Sequence, residues 1–207
     1  SVYLKEIHLI GFQRQHPKMN NIVLQDILHV IRVGEFRQKQ SVAEPFIRRS
    51  DLMYFDLNSI RNSDAPANDR KNPCGLFSEE ACALSRMGGL GDKLKTLVIS
   101  PWMEGGINCQ IQSSLVAQII WYFLEGYHLR KLDTQISKDS LTKYSVELKD
   151  VDYVICFYKS EHSGKWWFEE PIIDNEFSNQ LIPCTYEEYC STAQNQIPNR
   201  ILEFIQS

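Results

Sequence analysis

A chain of 207 residues that is 43% hydrophobic and 23% charged has the composition of a folded globular protein, and its length predicts one domain with a sizeable core. Its formal net charge of −4 supplies no basic face for phosphate, which argues against a nucleic-acid partner. No uncharged apolar run approaches the roughly 18 residues of a spanning helix. The opening SVYLKEIHLIG also lacks the basic start and cleavage site of a signal peptide, so no membrane association and a cytoplasmic setting are expected.

Strand and helix patterns alternate up to residue 130. VYLKEIHLIGF (2–12) alternates and then turns apolar, as a strand does, and NIVLQDI (21–27) is a second strand candidate. Around and beyond it, residues 24–49 place apolar side chains at helical spacing, with Leu28, Ile31, Phe46 and Ile47 as core candidates. DLMYFDL (51–57) is the compact apolar run of a central parallel strand. In SEEACALSRMGGLGD (78–92), Ser78 can cap a helix, Glu79 and Glu80 suit its positive end, and Gly88-Gly89 would end it. LKTLVIS (94–100) is another strand, and CQIQSSLVAQIIWYFLEGYHLR (109–130) a long helix with a wide apolar face. The alternation predicts an α/β fold over residues 1–130, a mainly parallel sheet with flanking helices.

The remainder, residues 131–207, reads as a hairpin and helical extension. KYSVELKDVDYVICFYKSEHSGKWWFEEP (143–171) predicts antiparallel strands turning at Ser163-Gly164, and residues 182–205 a short helix, a proline break and a further helical turn. Tyr158, Trp166 and Trp167 are expected to cover a core, and Glu187 and Glu188 to face solvent. Each large apolar side chain gains roughly 1.5–3 kcal/mol by burial, so the extension is expected to pack on the α/β part. The six cysteines form no C-x-x-C pair, which argues against a zinc ribbon and for reduced thiols.

The chemistry concentrates in DLMYFDLNSIRNSDAPAND, residues 51–69. Open α/β sheets bind ligands beyond the carboxyl ends of their strands, where Asp56 and Asn58 stand. With Asp64 and Asp69 they offer the oxygens a hard cation takes. The same residues suit a polar turn in which Asp56 caps the next segment and Asn58 makes an Asx-turn. The pattern leaves both open, the turn being the commoner outcome.

YFDLNSI followed by DAPANDRKNPCGLFSEEA resembles the ureohydrolase superfamily of arginase, agmatinase and formimidoylglutamase, and most of all a divergent formimidoylglutamase-like branch. In that family a strand ends in Ser-Phe-Asp-x-Asp-x-x-Asp-Pro, and Gly-Gly-Leu-Thr-x-x-Glu opens the following helix. Phe55 and Asp56 match the first motif, Gly75-Leu76 the second, and Glu80 falls at the family's substrate-binding Glu. IHLIGFQ, LKTLVISPWME and SSLVAQIIWYFLEG are similar to further family elements, so the resemblance covers roughly residues 3–130, a C-terminal half. It implies manganese as the family cofactor, Asp56 and a degenerate Asn58 as metal positions, and Glu80 as a substrate-binding position. No catalytic residue is assigned.

The departures bear on activity. The family's second Asp is Asn58 here, its third is Arg61 and its Pro is Asn62, while the acidic pair that reads the substrate's amino group would fall near Arg14 and His16. The Gly-Gly-Asp-His and Asp-Ala-His-x-Asp segments that complete the ligand set are missing, and His8, His16, His29, His128 and His162 have no acidic neighbours at ligand spacing. Metal-assisted hydrolysis needs ions that make hydroxide from water, and one carboxylate cannot hold two dications. The expectation is therefore the C-terminal portion of a hydrolase of linear amidine C–N bonds, binding no manganese and inactive by itself. A small amidine or guanidino substrate is implied if it is active, with a missing N-terminal half or a homo-oligomer as partner. The alternative is a non-catalytic binding or structural protein that keeps a degenerate ureohydrolase fold.

By the same resemblance the family sheet runs 2-1-3-8-7-4-5-6, and this chain holds the last four strands. The absent fourth strand would lie between residues 51–57 and 3–12. A dry gap there would leave unpaired backbone groups at about 1–3 kcal/mol each. Direct pairing is therefore expected, giving the order 94–100, 51–57, 3–12, 21–25.

Overall fold

The computed structural model describes residues 5–13, 28–68, 70–101, 108–133, 137–148, 153–169 and 180–206, which fall into two units, Ser1–Arg130 and Lys131–Ser207. The first begins with a parallel ladder of β1 (Ile7–Phe12) and β2 (Leu28–Arg32), in register from Ile7–Leu28 to Phe12–Arg32. Residues 28–32 thus form a strand where helical spacing had predicted a helix, and the strand expected at 21–25 lies outside the described residues. Val30 and Ile31 are β-branched and fit a pleated surface. His29 faces His8 across the ladder with ring centroids 5.3 Å apart, a cross-strand pair that a helix could not make. The chain passes directly into α1 (Val33–Gln38) and then, through a 3₁₀ turn, into α2 (Glu44–Arg49). Pro45 sits in the first turn of α2, where its missing N–H costs nothing. Ile31 and Ile47 are buried and Phe46 packs against the core, as the apolar spacing implied.

A second parallel ladder joins β3 (Leu52–Asp56) to β4 (Thr96–Ser100), with α3 (Ser78–Leu90) and α4 (Asn108–His128) following the two strands. Phe36, Phe55, Leu57, Leu84, Leu115 and Ile119 share one core. Gly88 and Gly89 do not end α3, which runs through them to Leu90. They serve packing: a Cβ on Gly89 would stand 2.1 Å from the Phe123 carbonyl oxygen, and one on Gly126 would stand 2.3 Å from that of Arg86. The backbones of α3 and α4 touch there, which offsets the roughly 1 kcal/mol that a helical glycine costs.

Among the described residues, the direct pairing expected of residues 51–57 with residues 3–12 does not occur. β1 pairs with β2, β3 pairs with β4, and a cavity of about 400 Å³ separates β1 from β3. Each ladder is fixed to its own helices. His8 and His29 pack on Phe46 of α2, and Phe55 is buried with Leu84 of α3. The gap is also open to solvent, with Leu52 and Tyr54 on its wall 54% and 57% exposed, so the penalty for dry, buried backbone does not apply to it.

The second unit is an antiparallel meander, β5 (Thr142–Leu148), β6 (Tyr153–Lys159), β7 (Trp166–Glu169) and β8 (Leu181–Cys184), in that spatial order. The β6–β7 turn closes with the Gly164 N–H donating to the Ser160 carbonyl at 2.8 Å, Gly164 adopting φ +74°. Helices α5 (Tyr186–Ala193) and α6 (Asn199–Gln206) flank Pro198, and Ile201 and Phe204 join Phe157, Trp166, Phe168 and Ile182 in this unit's core. Trp166 stacks on Tyr189 at 4.7 Å within this core, as expected, whereas Tyr158 and Trp167 are buried outside it, the Tyr158 hydroxyl donating to Glu169 at 2.9 Å. Glu188 does not face solvent. It accepts the Thr185 N–H at 2.7 Å, forming a capping box with the Thr185 hydroxyl, and pairs with Arg200 at 2.7 and 2.8 Å. All six cysteines are free thiols. No helix among the described residues is long and apolar enough to cross a membrane.

Candidate functional site

β3 delivers Asp56 to its carboxyl end, and the chain then winds into a 3₁₀ turn, Leu57–Ser59. Asp56 Oδ1 accepts the Asn58 N–H at 2.9 Å and so caps the 3₁₀ turn as expected, whereas Asn58 Oδ1 accepts the Arg70 N–H, twelve residues on, at 3.4 Å in place of the Asx-turn expected of it. The two predicted metal positions are adjacent, then, with these oxygens already taking backbone donors. Asp69, Arg14, His16 and residues 102–107 lie outside the described residues.

The loop from β3 to α3 is a folded object with its own interior. Leu57, Ile60 and Ala65 are fully buried. The Arg61 N–H donates to Leu76, the Leu76 N–H to Ser59 and the Asn62 N–H to Asn72, at 3.0, 2.8 and 2.7 Å. The buried Asn68 amide donates to the Leu57 carbonyl, and the Lys71 ammonium donates to the carbonyls of Pro66 and Asn68 at 3.0 Å each. Gly75 fits only because it has no side chain: a Cβ would stand 2.3 Å from the Arg61 nitrogen. Several carbonyl oxygens of the kind that could have faced a cation are thus taken by this protein's own donors, one of them a lysine, while the side-chain oxygens of Asn62 and Asn68 are buried without a hydrogen-bond partner.

Two carboxylates fix where the loop meets α3. Asp64 accepts from Arg61 at 2.6 Å, from the Ser63 hydroxyl at 2.9 Å and from the Ser78 N–H at 2.9 Å. Burial by itself would raise the Asp64 carboxyl, but the hydrogen bonds from Arg61, Ser78 and Ser63 outweigh it and hold the group below the ordinary aspartate range. Asp64, not Ser78, therefore serves the helix start. Ser78 is already inside α3, whose N-cap is Phe77, a residue with no side-chain acceptor. Glu80 is buried at 5% exposure; it accepts the Phe77 N–H at 2.7 Å and binds Arg37 at 2.8 and 3.3 Å. Arg37 also donates to the Gly75 carbonyl at 2.8 Å. The guanidiniums of Arg37 and Arg61 both lie over the Phe77 ring, 3.9 and 4.1 Å from its centroid. Arg61 is thus held by Asp64 and Phe77. Arg37 escapes sequence inspection because its partner lies 43 residues away.

This donor set does not fit a manganese pair. Asp56 is one carboxylate, Asn58 is neutral, and among the described residues no group of three or more His, Cys, Asp or Glu could hold a metal. What the arrangement does provide is a rigid strand end, with Asp56 beside the open cavity between β1 and β3.

No protein-family model matches the sequence, and no curated protein matches it. Among solved structures, formiminoglutamase of Trypanosoma cruzi is similar at 19% identity and a TM-score of 0.51, over 61% of this chain and 46% of that one. A structure of that protein with Mn2+ gives the same identity and TM-score over 44% of its length. Formimidoylglutamase of Bacillus subtilis is similar at 14% identity and a TM-score of 0.50, over 60% of this chain and 42% of that one. At these identities the likeness is one of fold: the chain carries a divergent ureohydrolase-like α/β fold. It spans less than half the length of these relatives.

Proposed function

We propose that the chain is the C-terminal portion of a ureohydrolase-type hydrolase that cleaves a linear amidine C–N bond in a small guanidino or formimino compound, and that this portion is not competent alone. The observation that carries the proposal is Asp56 at the carboxyl end of β3, held beside a cleft in a ureohydrolase-like fold. The likeness to a formiminoglutamase bearing Mn2+ supports the substrate class and the metal. The incomplete donor set supports incompetence of the chain alone. Glu80, the implied substrate-binding position, is committed to Arg37 and to the Phe77 N–H.

The test supplies Mn2+ to the 207-residue chain and to the longest natural polypeptide that contains it. Metal content is measured, and N-formimino-L-glutamate, L-arginine and agmatine are assayed. The chain alone is expected to hold no stoichiometric manganese and to turn over none of the three. The longer polypeptide is expected to hold the metal and hydrolyse one of them. If it does neither, the protein is a non-catalytic binding or structural protein with a degenerate ureohydrolase fold. One observation favours that second reading: Asp56 and Glu80 both act as acceptors for nearby backbone N–H groups.

A further inference from the structure

We propose that the chain carries a guanidinium-binding site filled by its own Arg37, and that a free guanidino or amidino compound binds there by displacing that side chain. The receptor and its occupant come from different elements. Phe77 and Glu80 stand at the start of α3, and Gly75 lies in the loop before it. Arg37 reaches them from α1 and meets all three at once. Its Nε and Nη2 donate to the two Glu80 oxygens at 2.8 and 3.3 Å, and Nη2 also donates to the Gly75 carbonyl at 2.8 Å. Its guanidinium carbon lies 3.9 Å from the centre of the Phe77 ring. A carboxylate that takes two prongs, a further carbonyl and an aromatic face are the partners that suit a guanidinium.

The receptor is held in shape without Arg37. Glu80 Oε2 accepts the Phe77 N–H at 2.7 Å, which orients the carboxylate. Gly75 is packed so closely that a Cβ would stand 2.3 Å from the Arg61 nitrogen, which fixes its backbone. The Phe77 ring is steadied by Arg61, 4.1 Å from its centroid, and Asp64 holds that arginine in turn. A receptor that is already ordered spends little on binding. The occupant is the looser partner: the Arg37 side chain is 33% exposed and that of Glu80 only 7%. Arg37 also lines a cleft of about 520 Å³ with Phe12 and Arg32, the last residues of β1 and β2. Open α/β sheets take their ligands at that end. The cleft gives the Arg37 side chain room to withdraw and a ligand a way in. Withdrawal leaves a buried carboxylate unpaired, so the replacement must be a cation, and its fork must match the carboxylate. In the proposed hydrolase Arg37 is then an internal competitor of the substrate at Glu80. That consequence rests on the hydrolase reading, whereas the site itself does not.

The probe is n-propylguanidinium, an arginine side chain without its backbone, with n-propylammonium as the control of equal charge. Binding to the intact chain and to Arg37→Ala is followed by thermal shift and calorimetry. Arg37→Ala is expected to bind the guanidinium saturably and at least about tenfold more tightly than the intact chain, which pays for undocking Arg37. The ammonium is expected to bind neither. In the intact chain, ¹⁵N NMR follows the Arg37 Nε–H, identified by its absence in Arg37→Lys. At about 50 mM guanidinium this signal is expected to move to the position of a solvent-exposed arginine, and to stay in place with the ammonium. A signal that stays in place with both, or equal affinity of Arg37→Ala and the intact chain, would make the contact a fixed structural bridge and overturn the proposal. Equal effects of the two cations would reduce the site to a nonspecific charge and overturn it as well. If Arg37→Ala does not fold, the NMR titration of the intact chain decides alone. Displacement without turnover by the longer polypeptide would remove the hydrolase reading and keep the site, and turnover without displacement would do the reverse.

Discussion

The two units treat their strands differently. In residues 131–207 each strand pairs with its neighbour in sequence, so β6 and β7 are paired on both sides and α5 and α6 contribute to one closed core. Among the described residues of 1–130, four strands make two separate parallel pairs, each strand paired on one side. An antiparallel meander closes through short turns, whereas parallel strands need long crossovers and cover on both faces. The exposed apolar side chains follow that division. Leu52, Tyr54 and Val98 stand open on β3 and β4, and Trp121 on α4 is 71% exposed. The lesson is that a short antiparallel piece can be complete in itself while a longer parallel piece remains open.

The comparison breaks if the two sheets respond alike to side-chain truncation. Phe157 is fully buried at the centre of the meander, so Phe157→Ala is expected to cost about 3–5 kcal/mol in chemical denaturation. Tyr54→Ala, on the open strand, is expected to change stability by no more than about 0.5 kcal/mol. Comparable losses at the two positions would mean that β3 is covered in solution.

A smaller effect sharpens the contrast within the first unit. Gly89→Val drives a side chain into the Phe123 carbonyl and should separate α3 from α4 at a cost of about 3 kcal/mol. Gly34→Ala, with nothing within 4 Å of its added Cβ, serves as the control and should leave the melting temperature within a degree or two of the original. In the second unit, Arg200→Ala leaves Glu188 without its guanidinium partner and is expected to cost about 2 kcal/mol. Arg200→Lys should recover only part of that, because an ammonium cannot reproduce the two-pronged contact.

What was legible beforehand follows the range of the interactions. The strand at 51–57, the helix from Ser78 and the turn at Gly164 are written in short stretches and emerge where the pattern placed them, whereas the capping box of Thr185 and Glu188 went unread. β2 was misread because five residues carrying Val30 and Ile31, followed at once by a helix, share the helix's apolar spacing. The sheet order was misread because a cost for buried, dry backbone was applied to a gap that is open to water. At the candidate site the cap by Asp56 was visible from the residues just after the strand, while the Asx-turn expected of Asn58 is replaced by its contact with the Arg70 N–H. The partnership of Glu80 with Arg37 and Phe77 was not, since it rests on a contact 43 residues apart and on a helix entry that lacks a polar cap.

The smallest effect concerns a single cap in the open unit. Asp64→Asn keeps the shape of the side chain but removes the charge that binds Arg61 and receives the Ser78 N–H at the start of α3. A loss of about 1 kcal/mol at neutral pH is expected, the usual worth of a helix cap. Its pH dependence has a definite sign. The folded-state carboxyl titrates below the unfolded value of about 3.9, so its stabilisation is full above that value. It is lost as the pH falls through the lower folded-state value. The gap in stability between the original protein and Asp64→Asn should therefore narrow as the pH is taken from 7 to about 3, since a protonated Asp64 resembles asparagine. Hydrogen exchange at the start of α3 isolates the effect from Asp133 in the second unit. There burial raises the carboxyl, but hydrogen bonds from Ser160 and Ser163 and the charge of Lys165 hold it low. A difference that stays constant across that pH range would show that the cap works through shape alone and that the Arg61 charge contributes nothing.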